Sequence, residues 1–118
     1  MYEGVVIKET LSDELFLDHI VIDKVNICKA NDIIKYWTMI FFHSEIEDLP
    51  HRLSNVIIDG WFADMKSSNT KYVIFRDKVL KYDIENALEK EEVFKYMRSR
   101  GIPETQITGS NDWNGNAP

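Results

Sequence analysis

Basic residues are in short supply in this chain. Its 118 residues hold 14 Lys and Arg against 20 Asp and Glu, for a formal net charge of −6. That balance argues against broad nucleic-acid binding, which needs cations clustered against phosphates, and it favours solubility. Cysteine is scarcer still. Cys28 stands alone, so no internal disulfide can form and a reducing cytoplasm is the expected location. The glycines, Gly4, Gly60, Gly101, Gly109 and Gly115, are scattered singly, so there is no Gly-rich loop to cradle a phosphate. Long hydrophobic runs are missing as well. The longest apolar block, Tyr36–Phe42, is seven residues, far short of the roughly 20 that a membrane helix needs. Lys8 and Glu9 interrupt the first apolar run after three residues, so no secretory signal is expected. Neither nucleic acid nor membrane is an expected partner.

What is present suits a small globular protein. Apolar residues make up 44% and charged residues 29%, ordinary values for a soluble domain able to bury a core without metal or disulfide. One α+β domain is expected over 1–108. The segment 109–118 has no periodicity and reads as a disordered polar tail.

The pattern predicts elements in a definite order. Gly4–Ile7 is a short β-branched strand, and Thr10 or Ser12 can cap a helix over Asp13–His19 with Leu11, Leu15 and the Phe16/His19 pair inward. Val21–Cys28 alternates, with Val21, Val25 and Ile27 on one side; Asp23 breaks the run and marks an edge strand. Lys29–Asp32 reads as a turn. Tyr36–His43 then carries the strongest signal, with Trp37, Met39 and Phe41 on one face and Tyr36, Ile40 and Phe42 on the other. A strand apolar on both sides is buried on both sides.

Ser44 with Glu47 has capping-box spacing for a helix, and Asp48 is a rival cap that would put Pro50 in the tolerant first turn. Ile46, Leu49, Leu53 and Val56/Ile57 give that helix its stripe, with Gly60 as its stop. Trp61–Lys66 is the fourth strand, with Trp61, Ala63 and Met65 inward. Around Tyr72–Tyr82, Asp77-Lys78 is expected to be a two-residue hairpin loop, which sets Phe75 opposite Leu80 and Val73 opposite Tyr82. A last helix runs from about Asn86 or Leu88 to Arg100, with a stripe of the Lys90 stem, Val93/Phe94 and Met97, and stops at Gly101-x-Pro103. The first six elements, β-α-β-β-α-β, match a ferredoxin-like antiparallel sheet with strands one and three central, extended by the hairpin and the final helix.

The stretch from Gly60-Trp61-Phe62-Ala63, through Tyr72–Val79, to Gly101-Ile102-Pro103-Glu104-x-Gln106 resembles a group of small uncharacterised prokaryotic proteins. In these a strand, a hairpin and a helix end in a similar Gly-Ile-Pro-Glu segment. The resemblance covers the C-terminal half and implies no activity, cofactor or catalytic residue.

Several residue groups invite a chemical reading, and each has a plainer one. His43 and His51, with Glu45, Glu47 and Asp48 between, are the densest set of potential ligands or acid–base groups, and Glu47 and His51 would share a helix face. The usual zinc spacings are missing, however, and acidic residues near a helix start follow from the dipole alone. Cys28 with His19 or His43 would make a nucleophile and base, yet no cysteine-enzyme signature surrounds it. Asp59 and Asp64 flank Gly60–Ala63 as paired carboxylates without a third group, and read more simply as solvated. Arg98 and Arg100 sit where a helix C-terminus favours cations. Aromatics on such a sheet can stack RNA bases, but the basic–aromatic pattern is absent. Trp113 in the tail is a docking residue or an idle one.

The expectation that results is a non-enzymatic binding or regulatory module without a cofactor. It self-associates, as a dimer, through the outer sheet face that carries Tyr36, Thr38, Ile40 and Phe42. The alternative is a small enzyme using His43, His51 and a carboxylate such as Asp48. In a third arrangement the hairpin covers the second sheet face within one chain, and the protein is a monomer.

Overall fold

β-Branched and aromatic residues at every second position build six strands in the computed structural model, which describes residues 1–29 and 36–111 (backbone alone for 108–111). They are β1 (Tyr2–Ile7), β2 (Val21–Lys29), β3 (Tyr36–Ser44), β4 (Phe62–Ser67), β5 (Thr70–Phe75) and β6 (Lys78–Asp83). All pair antiparallel in one sheet, in the order β2-β3-β1-β4-β5-β6. Around it lie α1 (Leu49–Ser54), α2 (Ala87–Ser99), α3 (Glu104–Asn111) and two 3-10 turns, Lys8–Thr10 and Glu14–His19. The fold is α+β, and β2 is an edge strand, as Asp23 implied. Among the described residues no helix is long and apolar enough to cross a membrane.

Strand register sorts the side chains onto two faces. Val6, Ile40, Phe42, Ala63, Met65 and Ile74 share one, and α1 closes it with Leu49 and Leu53, helped by Leu11, Phe16 and Ile57. On the opposite face Val73, Phe75 and Tyr82 pack against Val93, Phe94 and Met97 of α2 and Ile107 of α3. The sheet therefore has a core on each side, the second lying toward the β5–β6 end. The helix α2 starts from Asn86, whose side chain accepts from the N–H groups of Leu88 and Glu89, and it buries the stripe read from the sequence.

Three local expectations need correction. The hairpin turn is Arg76-Asp77, one residue earlier than expected, and Phe75 faces Lys78 while Val73 faces Leu80. Asp77 adopts φ 59°, which Asp tolerates, and its N–H donates to the carbonyl of Ser54 at 3.0 Å, so α1 pins the turn. Because the partner shift is two positions, Val73, Phe75, Leu80 and Tyr82 still share a face. The helix expected from Ser44 to Asp59 is only α1. Ser44 ends β3 instead, its hydroxyl donating to His19 O at 2.6 Å and accepting from Ile46 N. Asp48 takes the position before α1, at φ 60° and without a side-chain capping bond, and Pro50 lies in the first turn. Finally, the segment Asp13–His19 is a 3-10 helix, whose tighter turn buries Phe16 and leaves Leu15 exposed.

The helix α3 was not expected. Arg98 ties it to α2, reaching Glu91 at 2.9 Å and Glu104 at 2.8 Å. It runs to Asn111, past the expected start of the tail at 109. The expected turn at 30–32 and the tail with Trp113 (112–118) lie outside the described residues.

At the sheet centre, β1 and β4 approach closely at Gly4. A Cβ there would stand 2.7 Å from both Asp64 O and Met65 Cβ, where no flexible side-chain end can yield. Gly4→Ala is expected to lower stability by about 1–3 kcal/mol, seen as a lower urea midpoint at unchanged m-value. An unchanged midpoint would mean that β1 and β4 can separate freely.

Candidate functional site

Among the described residues, the strand pair β2–β3 brings the candidate His43 together with a carboxylate, Asp23, read from the sequence only as an edge signal. Its register slips between Ile22 and Lys24, a bulge that centres on Asp23. The bulge aims Asp23 at His43, whose Nδ1 lies 2.8 and 2.9 Å from the two carboxylate oxygens. Such a contact fixes the ring and its Nδ1 proton, leaving Nε2 as the nitrogen that would accept a proton from outside. Both side chains are partly open to solvent. A reaction would also need a nucleophile or ligand and a cavity beside them. Among the described residues no group of three or more His, Cys, Asp or Glu could hold a metal. A shallow cavity of about 210 Å³ lies elsewhere, lined by Asp13, Phe16, His19, Arg52 and Asn55 among others.

The other candidates are separated by the fold. His43 and Phe42 point to opposite faces, and α1 packs on the Phe42 side, so the sheet stands between His43 and His51. The grouping of His43, His51 and Asp48 does not form. Glu47 precedes α1, so it has no helix face to share with His51. Cys28 pairs with Trp37 at the far end of β3 from His43, and its Sγ contacts Met39 Sδ at 3.0 Å. Asp59 meets Arg100 at 3.6 Å, away from Asp64. Arg98 is engaged by Glu91 and Glu104, which push its pKa upward through hydrogen bonding and charge.

The proposed association surface divides in two. Ile40 and Phe42, 3% and 2% exposed, are sealed into the chain's own core under α1. Thr38 is held by Glu9, whose carboxylate accepts from its N–H at 2.7 Å and its hydroxyl at 2.8 Å. Only Tyr36 is largely exposed. Exposed apolar side chains gather on β2, where Ile22, Val25 and Ile27 are 47%, 48% and 61% exposed; others, such as Leu15 and Leu88, lie elsewhere. Register places these three on one face, opposite Phe42, Ile40 and Thr38. Plain alternation had grouped Val21 with Val25 and Ile27; the bulge changes the phase and puts Ile22 there instead.

Sequence reasoning also missed a buried polar group. Asp64, read as solvated, and Lys71, given no role, are 12% and 3% exposed in their side chains and 4.0 Å apart. Lys71 shares its strand face with Val73 and Phe75, so alternation along β5 was the signal that could have found it. Tyr82, paired with Lys71 in the register, is buried beside them. Comparison with known proteins finds no matching family model, curated protein or solved structure.

Burial, with the charge of Asp64 second, pushes the Tyr82 hydroxyl from 10.0 up to about 12. Above pH 10.0 the unfolded chain gives up this proton while the native state keeps it, so stability present below that pH is lost toward about 12. Tyr2 shifts upward as well, through burial and then Tyr72. Tyr82→Phe is expected to flatten, without abolishing, the alkaline fall of the urea midpoint. Parallel pH profiles for the two proteins would show that Tyr82 does not hold its proton in this way.

Proposed function

We propose that this chain is a non-enzymatic binding or regulatory module that acts as a self-associated unit, a homodimer joined along the open side of its sheet. The observation that carries this reading is the nine-residue edge strand β2, with Ile22, Val25 and Ile27 open to solvent beside Tyr36. An edge strand offers unpaired backbone groups to any second strand, and outward lysines are a common guard against this. Here the nearest guard is diverted, because Lys24 Nζ lies over the Phe41 ring, 4.6 Å from its centroid. Contiguous apolar surface of this kind marks interaction sites.

The partner in this reading is a second copy, in a reducing cytoplasm suited to the free Cys28. A ferredoxin-like origin for the first four strands belongs to the same proposal. What supports it is the order β2-β3-β1-β4, with β1 and β3 inside. Kinship with the small prokaryotic proteins ending in Gly-Ile-Pro-Glu remains part of it too, resting on Gly101–Glu104. The contact between His43 and Asp23 at 2.8 Å favours a second reading, a small enzyme with His43 as base.

Sedimentation equilibrium at tens of micromolar, roughly the range of a weak specific complex, tests the first reading. The wild type is expected to be dimeric and Ile27→Glu monomeric, with the urea midpoint little changed because Ile27 is exposed. A monomeric wild type would remove the basis of this proposal.

A further inference from the structure

The sequence of β2 is complementary to itself in one register. We infer that two copies join β2 to β2, antiparallel about a twofold axis at Asn26, so that their sheets become one. This rests on the reading that the chain self-associates, and it names the contact. In an antiparallel pair, facing residues point to the same side of the sheet. Beyond the bulge, β2 alternates Lys24, Asn26 and Cys28 on one side with Val25, Ile27 and Lys29 on the other. A twofold pairing must therefore set one residue against its own copy.

The choices differ sharply in what they bring together. An axis at Lys24 opposes two like charges, which destabilises a strand pair. One at Val25 sets the apolar Ile27 against the bulge residue Asp23 and Lys29 against Val21. One at Ile27 sets Lys29 against Val25. An axis at Asn26 sets Val25 against Ile27 twice, both of them exposed in the single chain. The ladder ends where Lys29 reaches the other copy's bulge, since Asp23 is turned to the opposite face and held by His43. At the axis two amides meet, each a donor and an acceptor. Lys24 falls opposite Cys28, so no pair in this register joins like charges. The opposite edge of the sheet is a poorer candidate, since β6 is shorter and carries Lys78 and Lys81.

Cysteine trapping tests the register in the full chain with Cys28→Ser as background. Facing Cα atoms in an antiparallel pair stand about 4.5–5.5 Å apart, within disulfide reach. Asn26→Cys is expected to give a covalent dimer on mild oxidation. Val25→Cys and Ile27→Cys should each stay single alone and crosslink when mixed. Circular dichroism and the urea midpoint confirm that each variant folds. If the wild type is dimeric but Val25→Cys crosslinks to itself, or Asn26→Cys fails to, this register is wrong while self-association stands. If the wild type is monomeric and none crosslinks, both fall together.

Discussion

The constraint from which the rest of this structure follows is the burial of β5 on both of its faces. Ile74 enters one core, Val73 and Phe75 the other, and none of the three is more than 3% exposed. A strand with two apolar faces needs two covers, and burying each such side chain stabilises the fold by about 1.5–3 kcal/mol. One cover is α1 with the turns that precede it; the other is α2 with α3. Polar contacts then fix how the covers sit. The Ser54 hydroxyl, at the end of α1, donates to Phe75 O at 2.8 Å, and Asp77 N–H donates back to Ser54 O. The helix and the hairpin therefore hold each other in register.

How much of this was legible in the sequence depended on how far apart the deciding groups lie. The strands, the edge position of β2 and the stripe of α2 follow from period and capping, which are local signals. The two-sided burial of Met39–Phe42 could be read from four adjacent residues. What covers one of those sides could not. Leu49, Leu53 and Ile57 close over Ile40 and Phe42 within the chain, so the surface expected for a second copy is already taken. The false helix start at Ser44 failed because its hydroxyl has a partner 25 residues away, at His19. The hairpin turn moved for the same kind of reason, a bond to Ser54.

The candidate site shows the effect of one inserted residue. Without the bulge at Asp23, alternation predicts a different exposed face for β2 and gives His43 no carboxylate. With it, Ile22 joins Val25 and Ile27, and Asp23 reaches His43. Neither result can be had from spacing along one strand, because a bulge is defined only by its partner. Buried polar groups were harder still. Lys71 and Asp64 lie under apolar cover at the middle of the sheet, where removing one charge of a pair is far more damaging than replacing both by apolar groups.

The position of β1 bears on how the chain reaches this state. It precedes the other strands in the sequence, yet it sits between β3 and β4, and its Gly4 pairs with Met65, far along the chain. During synthesis on a ribosome β1 can pair with β3 first, but its other edge must wait bare until β4 has left the exit tunnel. The hairpin of β5 and β6 needs no such delay, since its two halves are adjacent. Pairing β1 with β4 closes a loop of roughly 60 residues, a larger entropic cost than the two-residue turn of the β5–β6 hairpin, and until it closes that edge of β1 is open to any other strand.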